Sequence, residues 1–162
     1  MNTESKTPTK SIVTMTQLVL PNDTNQLGNL LGGRLMHWVD IAAALVAMKH
    51  SGKVCVTASV DEINFFEPVK LGHVVQLYAS INRAFKTSME IGVKVYREDT
   101  LNGNSVHTAT AYLTFVAIDL YGKPLQVPQV APETEEETRR YEGAAARRKN
   151  RLEHREQLSK LR

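Results

Sequence analysis

The chain changes its hydrophobic period at Ser51-Gly52. Ahead of that point, residues 34–50 carry Leu35, Met36, Trp38, Val39, Ile41 and an unbroken apolar run from Ala42 to Met48. Apolar side chains fall on every face of a 3.6-residue wheel, which predicts a buried central helix. Ser51-Gly52 closes it, as expected after a helix C-terminus. Beyond it the period is two: Val54, Val56, Ala58 and Val60 alternate with Cys55, Thr57 and Ser59. Strand-like runs follow at 74–82, 88–97 and 105–118, separated by Glu67-Pro68 with Leu71-Gly72, by Asp99 to Gly103 and by Tyr121-Gly122. An earlier strand, 12–20, is rich in β-branched residues and stops at Pro21; the Pro, Asn, Asp and Gly of 21–33 make a loop with special backbone demands. Several consecutive strands after one helix predict an α+β fold, an antiparallel sheet with the helix on one face. A helix that is apolar all round needs more cover than one flat sheet face supplies. We therefore expect a strongly curved sheet wrapping it, and a second subunit.

A boundary falls near residue 130. The body, 11–130, is one domain, and 131–162 is a charged helical tail opened by a capping box, Thr134 with Glu137. The apolar stripe of the tail (Tyr141, Ala144, Ala145, Leu152) is thin, so it is either a solvated helix or one docked across a neighbouring subunit. Nine basic and seven acidic residues lie between Glu133 and Arg162, leaving the body near neutral. The whole chain of 162 residues carries a formal charge of +3, compatible with an anionic ligand and too small to argue for nucleic acid. Cys55 is the one cysteine, so neither a disulfide framework nor a cysteine metal cage forms within a subunit, and a reducing compartment fits. The polar amino terminus has neither a secretory core nor an arginine-rich transit helix, and no segment approaches the roughly 20 apolar residues of a membrane helix. The expectation is a soluble cytoplasmic protein that binds neither membrane nor nucleic acid.

Asp40 is the most informative residue, the one acid between Asp23 and Asp61, in the middle of the apolar helix. A buried carboxylate needs a partner. It is either structural, held by backbone or by Arg34 or His37, or it is a general base or nucleophile tuned by dry surroundings. Gly32-Gly33 opens the helix, where free backbone N–H groups suit an anion or a developing oxyanion; a tight turn explains the pair equally well. Asp23 and Asn25 add polar side chains to the same loop, where Asx turns are the ordinary account. Asp40 follows Gly33 by seven residues, about 10.5 Å along a helix axis. One small carbonyl cannot touch both, so a site using both draws the second from another subunit. Cys55 on its strand has no evident His partner, the five histidines show no metal spacing, and Gly28 to Gly33 is followed by no Lys-Ser or Lys-Thr.

These residues resemble a known family. Leu20 to Asn25, Gly28 to Gly33, and Leu35-Met36-x-Trp38-x-Asp40-x-Ala42-Ala43 look like the opening of the hotdog acyl-CoA thioesterases, the cytosolic acyl-CoA hydrolase group. Val56-Thr57 through Asn64-Phe65 and Pro68, and Thr114 to Ala117, are similar to it as well. The likeness runs from about residue 15 to 128 and leaves out the tail. It implies an antiparallel sheet wrapped around a long central helix, hotdog dimers often assembled into hexamers, and hydrolysis of acyl-CoA at the subunit interface. It implies that Asp40 of one subunit activates water or attacks the thioester, that Asn25 of the other positions water or substrate, and that the N–H of Gly33 holds the oxyanion. The turn Arg83-Ala-Phe-Lys86-Thr87-Ser88 corresponds to one that holds CoA phosphates, and Asn64 to the pantetheine channel; Phe65 is expected in the core, and Arg147 and Arg148 of the tail are the next basic candidates. No metal or redox cofactor is expected, coenzyme A being part of substrate and product. A non-catalytic acyl-CoA-binding hotdog and a hotdog dehydratase, for which His37 would be the nearest histidine, are the rival readings.

Overall fold

The computed structural model describes residues 4–162. Six strands, β1 (Val13–Leu18), β2 (Val54–Val60), β3 (Asn64–Phe65), β4 (Val74–Ala84), β5 (Ser88–Glu98) and β6 (Ser105–Ile118), accompany two helices, α1 (Gly32–Ser51) and α2 (Glu135–Ser159). The strands form one antiparallel sheet in the order β1-β4-β5-β6-β2, with β3 also paired to β6. Short turns join β4 to β5 and β5 to β6, which is what antiparallel pairing permits. The sheet curls around α1. Trp38, Val39, Ala42, Ala43, Val46 and Ala47 of the helix share one core with Val75, Leu77, Ile91, Val93 and Phe115 of the strands. Each large side chain sealed there contributes roughly 1.5–3 kcal/mol. The alanines give the helix a narrow side on which to approach the sheet.

The helix α1 runs two residues further at its start than the apolar pattern of 34–50 and keeps the expected end. It begins at Gly32, because Leu31 takes extended backbone and its carbonyl accepts from the N–H groups of Arg34 and Leu35, both at 3.1 Å. It ends at Gly52, whose φ of +67° turns its N–H back onto the Met48 carbonyl at 2.8 Å. As expected of a helix without a polar face, α1 is not covered all round within one subunit. Ile41, Leu45 and Met48 stay 37–38 % exposed, a stripe that the sheet does not reach. Edge strand β2 likewise exposes Val54, Val56 and Val60. His37 and Phe65, expected to pack, are exposed too.

Strand β2 breaks its own alternation. Thr57 pairs with Phe115 and Ser59 with Thr114, so Ala58 is an extra residue opposite β6. Phe115 faces the core and Thr114 the outer surface, and cross-strand partners share a face. Thr57 thus keeps the inward face it shares with Cys55, and the bulge turns Ser59 away from it. Two residues apart on a regular strand they would have pointed the same way.

The tail is a helix, capped as the sequence implies: Thr134 Oγ1 accepts from the Glu137 N–H and Glu137 Oε2 from the Thr134 N–H, both at 3.1 Å. It is not solvated along its whole length. The first half of α2 lies across the outer face of its own sheet, burying Ala144 completely and stacking Arg147 on the Tyr112 ring at 3.8 Å. Its anchor is Glu90 on β5, fully buried, which takes a forked pair from Arg147 at 2.7 and 3.0 Å and a third bond from Asn82 Nδ2 at 3.0 Å. Asn82 reaches Glu90 across Gly92, where any Cβ would come within 2.9 Å of its amide. Arg151 completes the contact with Asp61 at 3.2 Å. From Leu152 onward the helix is exposed.

Candidate active site

The loop ahead of α1 is held by its own backbone. The Asp23 carbonyl accepts from Leu31, that of Val69 from Leu30 and that of Asn29 from Asn25, at 2.7–2.9 Å. Buried Asp23 accepts from the Leu20 N–H at 2.9 Å and pairs with Arg34 Nε at 3.2 Å. Arg34 is therefore Asp23's partner rather than Asp40's. Asn25 Oδ1 accepts from the N–H groups of Leu27 and Asn29 at 3.0 and 3.1 Å, an Asx turn that leaves its side-chain NH₂ directed away from these contacts. At the helix start, Arg34 supplies the first N–H that finds a backbone acceptor. The amides of Gly32 and Gly33 precede it, with open space at the position of a Gly33 Cβ. Such a pair can receive an oxyanion.

Asp40 lies about two turns further along and is half-buried. Its partner is Thr57 of β2, whose hydroxyl donates to Oδ1 at 2.7 Å. Oδ2 accepts no hydrogen bond among the described residues. A carboxylate held by one oxygen, with the other presented, is poised to take a proton from water. Thr57 was within the family-like segment of the sequence but carried no signal of its own. Plain alternation groups it with Cys55 and Ser59; it keeps the inward face of Cys55, and the bulge carries Ser59 to the other.

The other sequence candidates divide. Asp40 and Thr57 are brought together; Asn25 and Gly33 belong to the loop and helix start, on the same subunit but not in contact with Asp40. The Lys86-Thr87-Ser88 turn is pinned through backbone, Lys86 O accepting from Val127 and Thr87 O from Ala117 at 3.0 and 3.2 Å, which leaves the Lys86 side chain exposed. Arg83 is turned to α2: its guanidinium sits 4.0 Å over the Tyr141 ring and donates to the Tyr141 carbonyl at 3.4 Å. Asn64 is exposed on β3, opposite Thr110. Burial raises the Cys55 thiol, which touches Ser51 Oγ at 3.3 Å and has no histidine beside it. Among the described residues no three His, Cys, Asp or Glu side chains cluster at metal-ligand spacing, and no helix is long and apolar enough to cross a membrane.

A curled antiparallel sheet around one long helix, with a carboxylate on that helix, is the arrangement of the hotdog thioesterases. The chain belongs to the thioesterase superfamily, whose family model matches residues 27–103. It is 40 % identical over 153 residues to the uncharacterized acyl-CoA thioester hydrolase YkhA of Bacillus subtilis, a match covering 93 % of this chain and 89 % of that protein. It is 42 % identical over 149 residues to acyl-coenzyme A thioesterase 11 of Mus musculus, covering 92 % of this chain but spanning only 25 % of the mouse protein. Among solved structures, an apo-hexameric acyl-CoA thioesterase superposes with a TM-score of 0.90 at 42 % identity, covering 93 % of this chain and 97 % of the other. An acyl-CoA hydrolase from Staphylococcus aureus, in complex with butyryl coenzyme A, coenzyme A and coenzyme A disulfide, gives 0.86 at 37 % identity, covering 97 % and 98 %. Further structures of that enzyme carry alanine in place of an asparagine, an aspartate or a threonine, residues 15 and 17 positions apart in succession.

Proposed function

We propose that this chain hydrolyses acyl-CoA thioesters to free CoA and a carboxylic acid, at a site completed by a second subunit of a homo-oligomer, a hexamer built from three hotdog dimers. One observation carries the assignment of roles. Asn25, Asp40 and Thr57 stand 15 and 17 positions apart, the spacing of the three residues replaced in the Staphylococcus enzyme, and the last two are hydrogen-bonded at 2.7 Å. In the reaction Asp40 removes a proton from water, whose oxygen adds to the thioester carbonyl. The oxyanion is received at the amides of Gly33 and Gly32 of the facing subunit, where Asn25 orients the water. Collapse breaks the C–S bond, and the proton held on Asp40 passes to the departing CoA sulfur, so no metal or redox group takes part. Thr57 fixes the carboxylate. The setting is cytoplasmic, where acyl-CoA is found and the lone thiol stays reduced. Thiol release from butyryl-CoA and longer acyl-CoAs, followed with a thiol-reactive dye, tests the proposal. Release no faster than in buffer across all chain lengths would sink it.

A further inference from the structure

Of the two adjacent phenylalanines at β3, the fold explains one. Phe66 meets the His107 ring at 5.8 Å, and His107 in turn meets Tyr96 at 5.2 Å. Phe65 has no aromatic partner among the described residues. It pairs with Ala109 of β6, which lies opposite Val95 of β5, and both of these are sealed in the core. Cross-strand partners share a face, so Phe65 is directed inward, toward α1. An inward phenylalanine would ordinarily be covered, yet Phe65 is 51 % exposed.

The reason is the helix start that it faces. Gly32 and Gly33 open α1 without side chains. A Cβ placed on Gly32 would have Phe65 Cζ as its nearest neighbour, at 4.0 Å, and one placed on Gly33 would meet nothing within 4 Å. The ring and the paired glycines are thus two walls of one gap. Leu31, just ahead of them, offers no side-chain oxygen to cap their amides. The ring is firmly placed, because backbone bonds hold the segment on both sides. The Asp61 N–H donates to the Tyr112 carbonyl and the Phe66 N–H to that of Thr108, both at 2.9 Å. An open aromatic face beside uncapped amides suits a group that is apolar along its length and carries one carbonyl oxygen. A thioester is such a group.

We propose that Phe65 is the apolar wall of the oxyanion pocket, lying along the bound thioester while Gly32 and Gly33 of the same subunit receive its carbonyl oxygen. This rests on the thioesterase reading above and adds to it the group that keeps water from the amides. N–H donors stabilise a developing oxyanion most where water does not compete for them, since the attraction grows as the local dielectric falls. With the thioester in the gap, ring and substrate cover the amides together, and the water at Asp40 of the facing subunit is the one that reacts. The ring donates and accepts nothing, so it acts by exclusion and by fixing the approach of the carbonyl.

The test uses the full-length oligomer with Phe65→Leu and Phe65→Gln, two side chains of similar size, one apolar and one that brings water into the gap. Phe65→Gln should lower kcat on butyryl-CoA at least ~10-fold with KM changed less than ~3-fold, while Phe65→Leu keeps most of the wild-type kcat. Two CoA ligands that are not hydrolysed separate this role from a merely structural one. S-trifluoroacetonyl-CoA carries a ketone that adds water and presents an oxyanion, whereas S-propyl-CoA has no carbonyl. By calorimetry, Phe65→Gln should weaken the first at least ~10-fold relative to the second. Equal losses on both ligands, or the same kcat in the Leu and Gln variants, overturn the proposal. A wild type that releases no thiol from any acyl-CoA sinks the thioesterase reading and this proposal with it. An active wild type with an indifferent Phe65 sinks the proposal alone.

Discussion

The Thr57 hydroxyl donates to Asp40 Oδ1 across 2.7 Å, joining the edge strand to the central helix at the carboxylate we assign to catalysis. Removing either partner should therefore damage turnover more than stability. Asp40→Asn is expected to lower kcat at least ~10²-fold with the circular-dichroism spectrum unchanged. Thr57→Val, which keeps the shape and deletes the donor, should cost about 10-fold, the worth of one hydrogen bond to a charged group. Near-normal turnover in folded Asp40→Asn would take the residue out of the mechanism.

Assembly should be a condition of activity. The Ile41, Leu45 and Met48 stripe and the exposed valines of β2 are apolar surfaces that one subunit leaves uncovered. Sedimentation of the wild type should show a dimer or a multiple of it. Ile41→Glu with Leu45→Glu should shift the population to monomer and abolish thioester cleavage together, because Gly33 and Asn25 then no longer face an Asp40. A fully active monomer would contradict the shared site.

The clamp under α2 makes a stability prediction. Arg147→Ala leaves the Glu90 carboxyl at 0 % exposure with its forked donor gone. Stranding one partner of a buried pair costs on the order of 3–5 kcal/mol, measurable by urea unfolding. Glu90→Leu combined with Arg147→Met should recover most of that loss. If Arg147→Ala alone changes stability by less than ~1 kcal/mol, the helix is not anchored there.

Acid should loosen the junction of α1 with the segment leading to the tail. His50 is buried, Nε2 bonds to the Pro128 carbonyl at 2.8 Å, and Nδ1 is buried without a partner. Burial is the main cause that depresses its pKa, with the Lys6 charge adding to it and the Pro128 bond opposing. The unfolded chain therefore takes up its proton at about pH 6.5 while the folded chain resists, so stability is full above that pH and declines as pH falls below it. Thermal melts of wild type between about pH 7.5 and about pH 5.5 should show a steeper decline than His50→Gln, which retains a donor toward Pro128. Parallel slopes would remove His50 from the effect.

The fold was legible because hydrophobic period and turn residues agree from 54 onward, and because α1 has no polar face. Asp40 stood out as a lone carboxylate against that background, and Asn25 and Gly33 through the family likeness of their loop. Thr57 and Glu90 did not stand out, for one reason. Each sits on a strand where alternation assigns it an ordinary place, and its role depends on which side chain another element lays against it. For Thr57 that is Asp40 of α1, and for Glu90 it is whichever of the many tail arginines lands on it. A two-residue strand such as β3 is too short to show any period at all.

Ala58, the extra residue of β2, has no part in the scheme above, and the register makes it a residue the strand can lose. Deleting it leaves Thr57 opposite Phe115, Ser59 opposite Thr114 and Val60 opposite Leu113, now in plain alternation, so Asp61 keeps its face and its reach to Arg151. Deleting Val56 instead lets the bulge absorb the loss one place too late: Thr57 moves opposite Val116, onto the outer face and off Asp40. The loops at 99–103 and 120–123 can gain or lose residues with only local effect, whereas in this strand the consequence of a deletion depends on which side of the bulge it falls.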